Sequence, residues 1–286
     1  MKKPTLLPTL ALACGILAFG LRLLQFRTGF EAGSGLPVPG NTAALALLLL
    51  LAVLVPVYVL LARRLPRENP PGPVFPQDFT VSSSGQLFLP VTGAFLMALS
   101  GLADLAEAVT GANLLSWFRA AADPYGTTAV AGSVFAGRAQ LLLALLSLLS
   151  AAALFSAAAA CRNPNRGRAF RGTYLLIPPT ALVIRLVLIY RLDSVNPALE
   201  AYYVELLALV CLTLGFYRLS SFAFQSGKTS RFALYACAAV TLCTAALADH
   251  SALLSSLLLY AGGAVSMLGY LLLRLSTAPN VPIDAA

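Results

Sequence analysis

Five ionisable side chains sit inside segments that otherwise read as hydrocarbon. Arg22 lies in "LAFGLRLLQF", Asp104 and Glu107 in "ALSGLADLAEAVTG", Arg185 in "ALVIRLVLIY" and Glu205 in "AYYVELLALV". Charged groups in such places pair with one another, bind an ion, or carry a proton. Left facing lipid at mid-bilayer, each would cost at least about 2.5–3.5 kcal/mol, less toward the interface. They are therefore expected to point into a bundle. Arg22 and Arg185 together neutralise two of the three acids, and the third is left to hold a proton or a cation.

Their spacing supports an inward face. On the segment around Asp104, the residues Gly93, Met97, Ser100, Asp104, Glu107 and Gly111 recur at steps of three and four, so they share one helix face. Ala11, Gly15, Ala18, Arg22 and Gln25 do the same on the first segment. Each stripe is small at one end and charged at the other. Small residues let helix backbones approach closely in lipid. In "RLDSVNPALE" the chain turns near Val195, with Arg185 ten positions before it and Glu205 ten after. At about 1.5 Å per residue both would lie roughly 15 Å from the turn, so the two are expected to meet across that hairpin. By the same depth logic, Arg22 is expected to partner Asp104 or Glu107.

The elements that must position these groups follow from composition. Of 286 residues, 59% are hydrophobic and only 10% charged, against about 25% charged in ordinary soluble domains. The mean hydropathy of +0.83 agrees. A globule this apolar cannot cover itself with polar surface, so the bilayer is the expected solvent and partner. About eight segments approach the roughly 20 apolar residues that a span needs. They are residues 5–26, 42–62, 87–109, 140–160, 174–192, 199–220, 232–247 and 251–273. The seventh is short and only "ADHS" divides it from the eighth, so seven spans is the rival count. The expectation is an all-α polytopic transmembrane helix bundle, a single integral membrane domain over 1–286. Lys2-Lys3 followed by an apolar run resembles a signal peptide, but the run continues past Cys14, so it is read as a retained first span.

Lysine and arginine set the orientation. With the N-terminus inside, the inner side receives Lys2, Lys3, Arg63, Arg64, Arg67, Arg162, Arg166, Arg168, Arg171, Lys228, Arg231 and Arg274. The outer side receives Arg27, Arg119, Arg138 and Arg191. Both termini are therefore expected in the cytoplasm of a cell (inner or plasma) membrane. In this frame the five charged groups, with Glu200, Asp249 and His250, collect in one outer layer. Arg218 alone lies near the inner end of a span.

Smaller signals complete the reading. Pro178 and Pro179 are expected to kink or break the fifth span near its inner end. The loop "RRLPRENPPGPVFPQDFTVSSSGQ" reads as an irregular connector. An interfacial helix is expected near 114–121. Trp117, Tyr125, Tyr190, Tyr202 and Tyr203 fit an outer aromatic belt. Gly262, Gly263 and Gly269 are expected at a close helix contact, within the bundle or at a dimer seam. Arg162, Arg166, Arg168 and Arg171 could grip anionic lipid.

No HExxH, GxSxG or GxxxxGK[ST] motif is present, so no catalytic residue is expected. One histidine and five cysteines without a CxxC pair point away from zinc or a disulfide framework, and no metal or cofactor is expected. The basic charge follows membrane topology and does not call for nucleic acid. The runs "YRLDSVNPALEAYYVELLALVCLTLGFYRLSSFAF" and "LRLLQFRTGFEAGSGLPVPGN" resemble a family of uncharacterised multi-pass membrane proteins of anaerobic bacteria. That resemblance implies a bacterial membrane location and assigns no chemistry. Two functions fit: a non-enzymatic scaffold, sensor or assembly component, or a small-solute or ion transporter (or its membrane subunit) using the outer charges.

Overall fold

In lipid, backbone N–H and C=O groups must be satisfied within the segment itself, so apolar runs become helices. The computed structural model describes residues 6–30, 37–65, 75–76, 79, 81, 84–110, 134–162, 172–193, 199–249 and 254–277. Among them are eight helices long and apolar enough to cross a membrane. These are α1 (Leu6–Thr28), α2 (Thr42–Arg63), α3 (Phe88–Thr110), α4 (Val134–Arg162), α5 (Ile177–Asp193), α6 (Leu199–Ala223), α7 (Thr229–Ala246) and α8 (Leu254–Thr277). The all-α bundle and the eight-span count both hold. The short seventh segment is a helix of 18 residues in its own right. The predicted interfacial helix at 114–121 lies outside the described residues, as do Trp117, Tyr125, Gly111 and Arg166–Arg171.

Helix ends follow local chemistry. The Asn41 side chain accepts from the backbone N–H groups of Ala43 and Ala44 and so caps α2. Its amide also donates to Thr28 Oγ1, closing the α1–α2 turn. The expected break at Pro178 and Pro179 takes a milder form. A 3₁₀ turn at Gly172–Leu176 precedes α5, and the prolines are the second and third residues of the α-helix. In a first turn their missing N–H groups leave no helical bond unmade.

Packing divides the helices into a centre and a rim. Two-thirds of the most apolar stretch of both α7 and α8 is buried, against 17% of that of α2. Helix α7 touches α1, α2, α6 and α8, and α8 also packs along α3. On α2, Leu48, Leu49, Val53, Val55 and Leu60 are 57–63% exposed, which makes a lipid-facing wall. The α3–α8 seam is close. A Cβ at Gly93 would strike the Ser266 side chain and lie 2.7 Å from the Gly262 carbonyl oxygen. A Cβ at Gly262 would lie 2.9 Å from the Gly93 carbonyl oxygen. The glycines of α8 thus serve packing inside the bundle.

The end where α1 begins is here called proximal, and the opposite end distal. The proximal end is closed by aromatic rings. Phe79, fully buried, packs edge-on against Phe222, Phe232 and Tyr270, with ring centroids 5.2, 6.2 and 6.1 Å away. Phe75, 4% exposed, packs at a tilt against Phe79, with ring centroids 5.4 Å apart. Both belong to the loop read from sequence as an irregular connector. Its prolines and serines fit that reading, but these two rings anchor it in the core.

Candidate functional site

Each stripe expected to face inward does so. On α1 the buried set includes Ala11, Gly15, Ala18, Arg22 and Gln25. On α3 it includes Gly93, Met97, Ser100, Asp104 and Glu107. The small residues put backbones in contact toward the proximal side, and the charges follow on the same faces toward the distal end.

The charges pair, but not as depth alone predicted. Arg185 of α5 donates from Nη1 to Asp104 Oδ2 of α3 at 2.9 Å. Its Nη2 donates to Ser256 Oγ at 3.2 Å, at the start of α8. Glu205 was expected on Arg185 and instead accepts a 2.5 Å hydrogen bond from the Tyr260 hydroxyl of α8. The hairpin pair does not form because α5 presents Arg185 to α3 and α8, while α6 presents Glu205 to the neighbouring face of α8. Arg22 was expected on Asp104 or Glu107 and instead donates from Nε to Asp249 Oδ1 at 2.8 Å. Helix α1 packs on α7, so the carboxylate in the turn after α7 reaches Arg22 first. Arg22 Nη1 donates to Gln25 Oε1 at 2.8 Å, and its guanidinium lies over the rings of Phe26 and Tyr203 at 4.4 and 5.4 Å. Tyr203 therefore serves Arg22, where the sequence placed it in a belt. Tyr190 is 60% exposed, in keeping with the belt.

The layer is largely buried, with Glu205 half-buried at its edge. Arg22, Asp104, Glu107, Arg185 and Asp249 are all 3% exposed or less. Glu107 shares the buried face of Asp104. Glu205 lies within electrostatic reach of both Arg185 and Asp249 and so links the two ion pairs. Ser100 Oγ donates to the Ser255 carbonyl at 2.7 Å, which ties α3 to the first turn of α8 just below. Beside Arg185 is a cavity no larger than about one water, bordered by Met97, Ser147, Ser150 and Leu259. Asp249 lies in the turn beyond the spans. Burial pushes its carboxyl up to about 6, against the pull of Arg22.

Four residues of this layer escaped the candidate set: Gln25, Asp249, Ser256 and Tyr260. Asp249 and Gln25 were visible at the correct depth, and Gln25 on the correct face. Ser256 and Tyr260 carried no signal, because a serine and a tyrosine in an apolar run are ordinary. The described residues contain no group of three or more His, Cys, Asp or Glu able to hold a metal ion.

The arrangement does one thing plainly. Two buried arginine–carboxylate pairs join elements far apart in sequence, α1 to the α7–α8 turn and α3 to α5. No family model, no curated protein and no solved structure matches this chain; its eight apolar helices make it an integral membrane protein of the all-α class.

Proposed function

We propose that this chain is a non-enzymatic membrane scaffold, sensor or assembly component, in which the distal charges hold the bundle together. The observation that carries this reading is the capping of Asp104 by Arg185 and of Asp249 by Arg22, with all four side chains buried. A site that exchanges solute needs a water path to its charges, and a charge already paired inside the protein binds a third ion less readily, although Arg185 Nε and Asp249 Oδ2 keep no hydrogen-bond partner among the described residues. The Lys/Arg asymmetry supports cytoplasmic termini. The resemblance to bacterial multi-pass proteins supports residence in the cell membrane. Anionic lipid at Arg162, Arg166, Arg168 and Arg171 belongs to the same reading.

A transporter is the second reading. It is favoured by the charge balance: Asp104, Glu107, Glu205 and Asp249 against Arg22 and Arg185 among the described residues. Proton-coupled flux into proteoliposomes tests both. The scaffold reading expects the same passive leak with wild type, Glu107→Gln and Glu205→Gln. Flux above empty vesicles that Glu205→Gln abolishes, with its melting temperature unchanged, would overturn it in favour of transport.

A further inference from the structure

Arg218 is a cation that the distal layer does not use. It lies on α6, five residues before the helix ends at Ala223, about 8 Å inward of the α6–α7 turn. That turn is at the proximal end. Asp104, Glu107, Glu205 and Asp249 are all at the distal end, so none of them can serve it. Arg218 is half-buried, and its Nε is sealed from the surroundings with no hydrogen-bond partner among the described residues. Its guanidinium lies over the rings of Tyr217 and Tyr235, 5.5 and 5.8 Å from their centroids. Arg274, at the same end, differs. It is 5% exposed, donates from Nε to Thr229 Oγ1 and stacks on Phe222 at 5.2 Å.

A guanidinium held near the hydrocarbon margin takes its counter-anion from whatever lies beside it. Its planar fork matches a phosphate through two parallel hydrogen bonds. Aromatic faces hold the cation in place while leaving the fork open. Arg231 lies four residues before Tyr235 on α7, one turn nearer the surface on the same face, and it is exposed. Along α6, Leu207, Val210 and Tyr217 share a face and are 44, 37 and 50% exposed, an apolar track that ends beside Arg218.

We propose that Tyr217, Arg218, Tyr235 and Arg231 form a binding site in the α6–α7 groove for the phosphate of an anionic phospholipid. The phosphate sits between the two guanidiniums, and an acyl chain lies along the Leu207–Val210 track. The site is independent of what the distal charges do.

The test is thermal unfolding of the delipidated protein in detergent with added phosphatidylglycerol, phosphatidylcholine or inorganic phosphate. Phosphatidylglycerol is expected to raise the wild-type melting temperature by several degrees. Phosphatidylcholine should do less and inorganic phosphate nothing. Arg218→Gln should lose the phosphatidylglycerol shift, and Arg218→Lys should lose most of it, because an ammonium lacks the fork. Should Arg218→Gln fail to fold, Arg218→Lys and Arg231→Gln carry the same comparison. Equal shifts with both lipids, a full phosphatidylglycerol shift in the variants, or a shift of the same size with inorganic phosphate would each overturn the proposal.

Discussion

The two ends of the bundle handle charge in opposite ways. At the distal end, Arg22 and Arg185 meet carboxylates from their own chain, and both pairs are buried. At the proximal end, Arg218 and Arg274 meet aromatic faces and a threonine hydroxyl, and Arg63, Arg64, Arg162, Lys228 and Arg231 stay exposed. Apolar packing closes that end, through Phe79 among three other rings. One end thus pairs its two buried arginines internally, with carboxylates in excess, and the other offers its charge outward. On the proposed reading, partners that recognise charge would dock at the proximal end, and the distal ion pairs would hold the fold.

Breaking one distal pair should have the largest effect. Arg185→Met leaves Asp104 buried without its cation, and removing one partner of a buried pair costs about 3–5 kcal/mol. In detergent the melting temperature should fall on the order of 10 °C. A drop of a degree or two would mean that water reaches Asp104.

Phe79→Ala probes the other end. Loss of a fully buried ring costs about 3 kcal/mol or more. The loss should be the same at every pH, whereas the distal end should respond to pH through Asp249. Its carboxyl, raised from 3.8 to about 6, binds a proton more readily in the folded state. Its contribution to stability is full below about pH 4 and declines as pH rises through about 6. The melting temperature of wild type relative to Asp249→Asn should therefore fall between pH 4 and pH 7. A flat difference would place Asp249 in contact with solvent.

The smallest effect is expected mid-bundle. Thr241 exchanges a 2.7 Å hydrogen bond with the Tyr58 hydroxyl and donates to the Ala11 carbonyl, linking α7 to α2 and α1. Thr241→Val should lower stability by about 1 kcal/mol, read as a small shift in the denaturant midpoint. A loss as large as that of Arg185→Met would move the weight of the fold from the ends to the middle.

Much of this was legible in the residues, and the gaps have a common cause. Hydropathy runs gave eight spans because the bilayer fixes helix length, and three-four spacing gave the buried faces of α1 and α3. Depth along a helix is also written in the sequence, so the charged layer could be placed. Which helix stands beside which is not. Arg185 and Glu205 share a hairpin and a depth, yet each turns to a different neighbour. Arg22 meets Asp249 because α1 lies along α7, a contact between residues 227 positions apart. The anchoring of Phe79 was hidden for another reason. Proline and serine dominate its loop, and composition does not reveal that two rings among them, Phe75 and Phe79, reach the core.

The central claim is that the distal ion pairs are structural, and a double-mutant cycle on Arg185 and Asp104 tests it most directly. Arg185→Met and Asp104→Leu alone should each lower the melting temperature markedly. Combined, they remove both charges at once, and the double variant should be more stable than Arg185→Met, with strong coupling between the sites. Additive losses, with the double variant the least stable of all, would contradict the account.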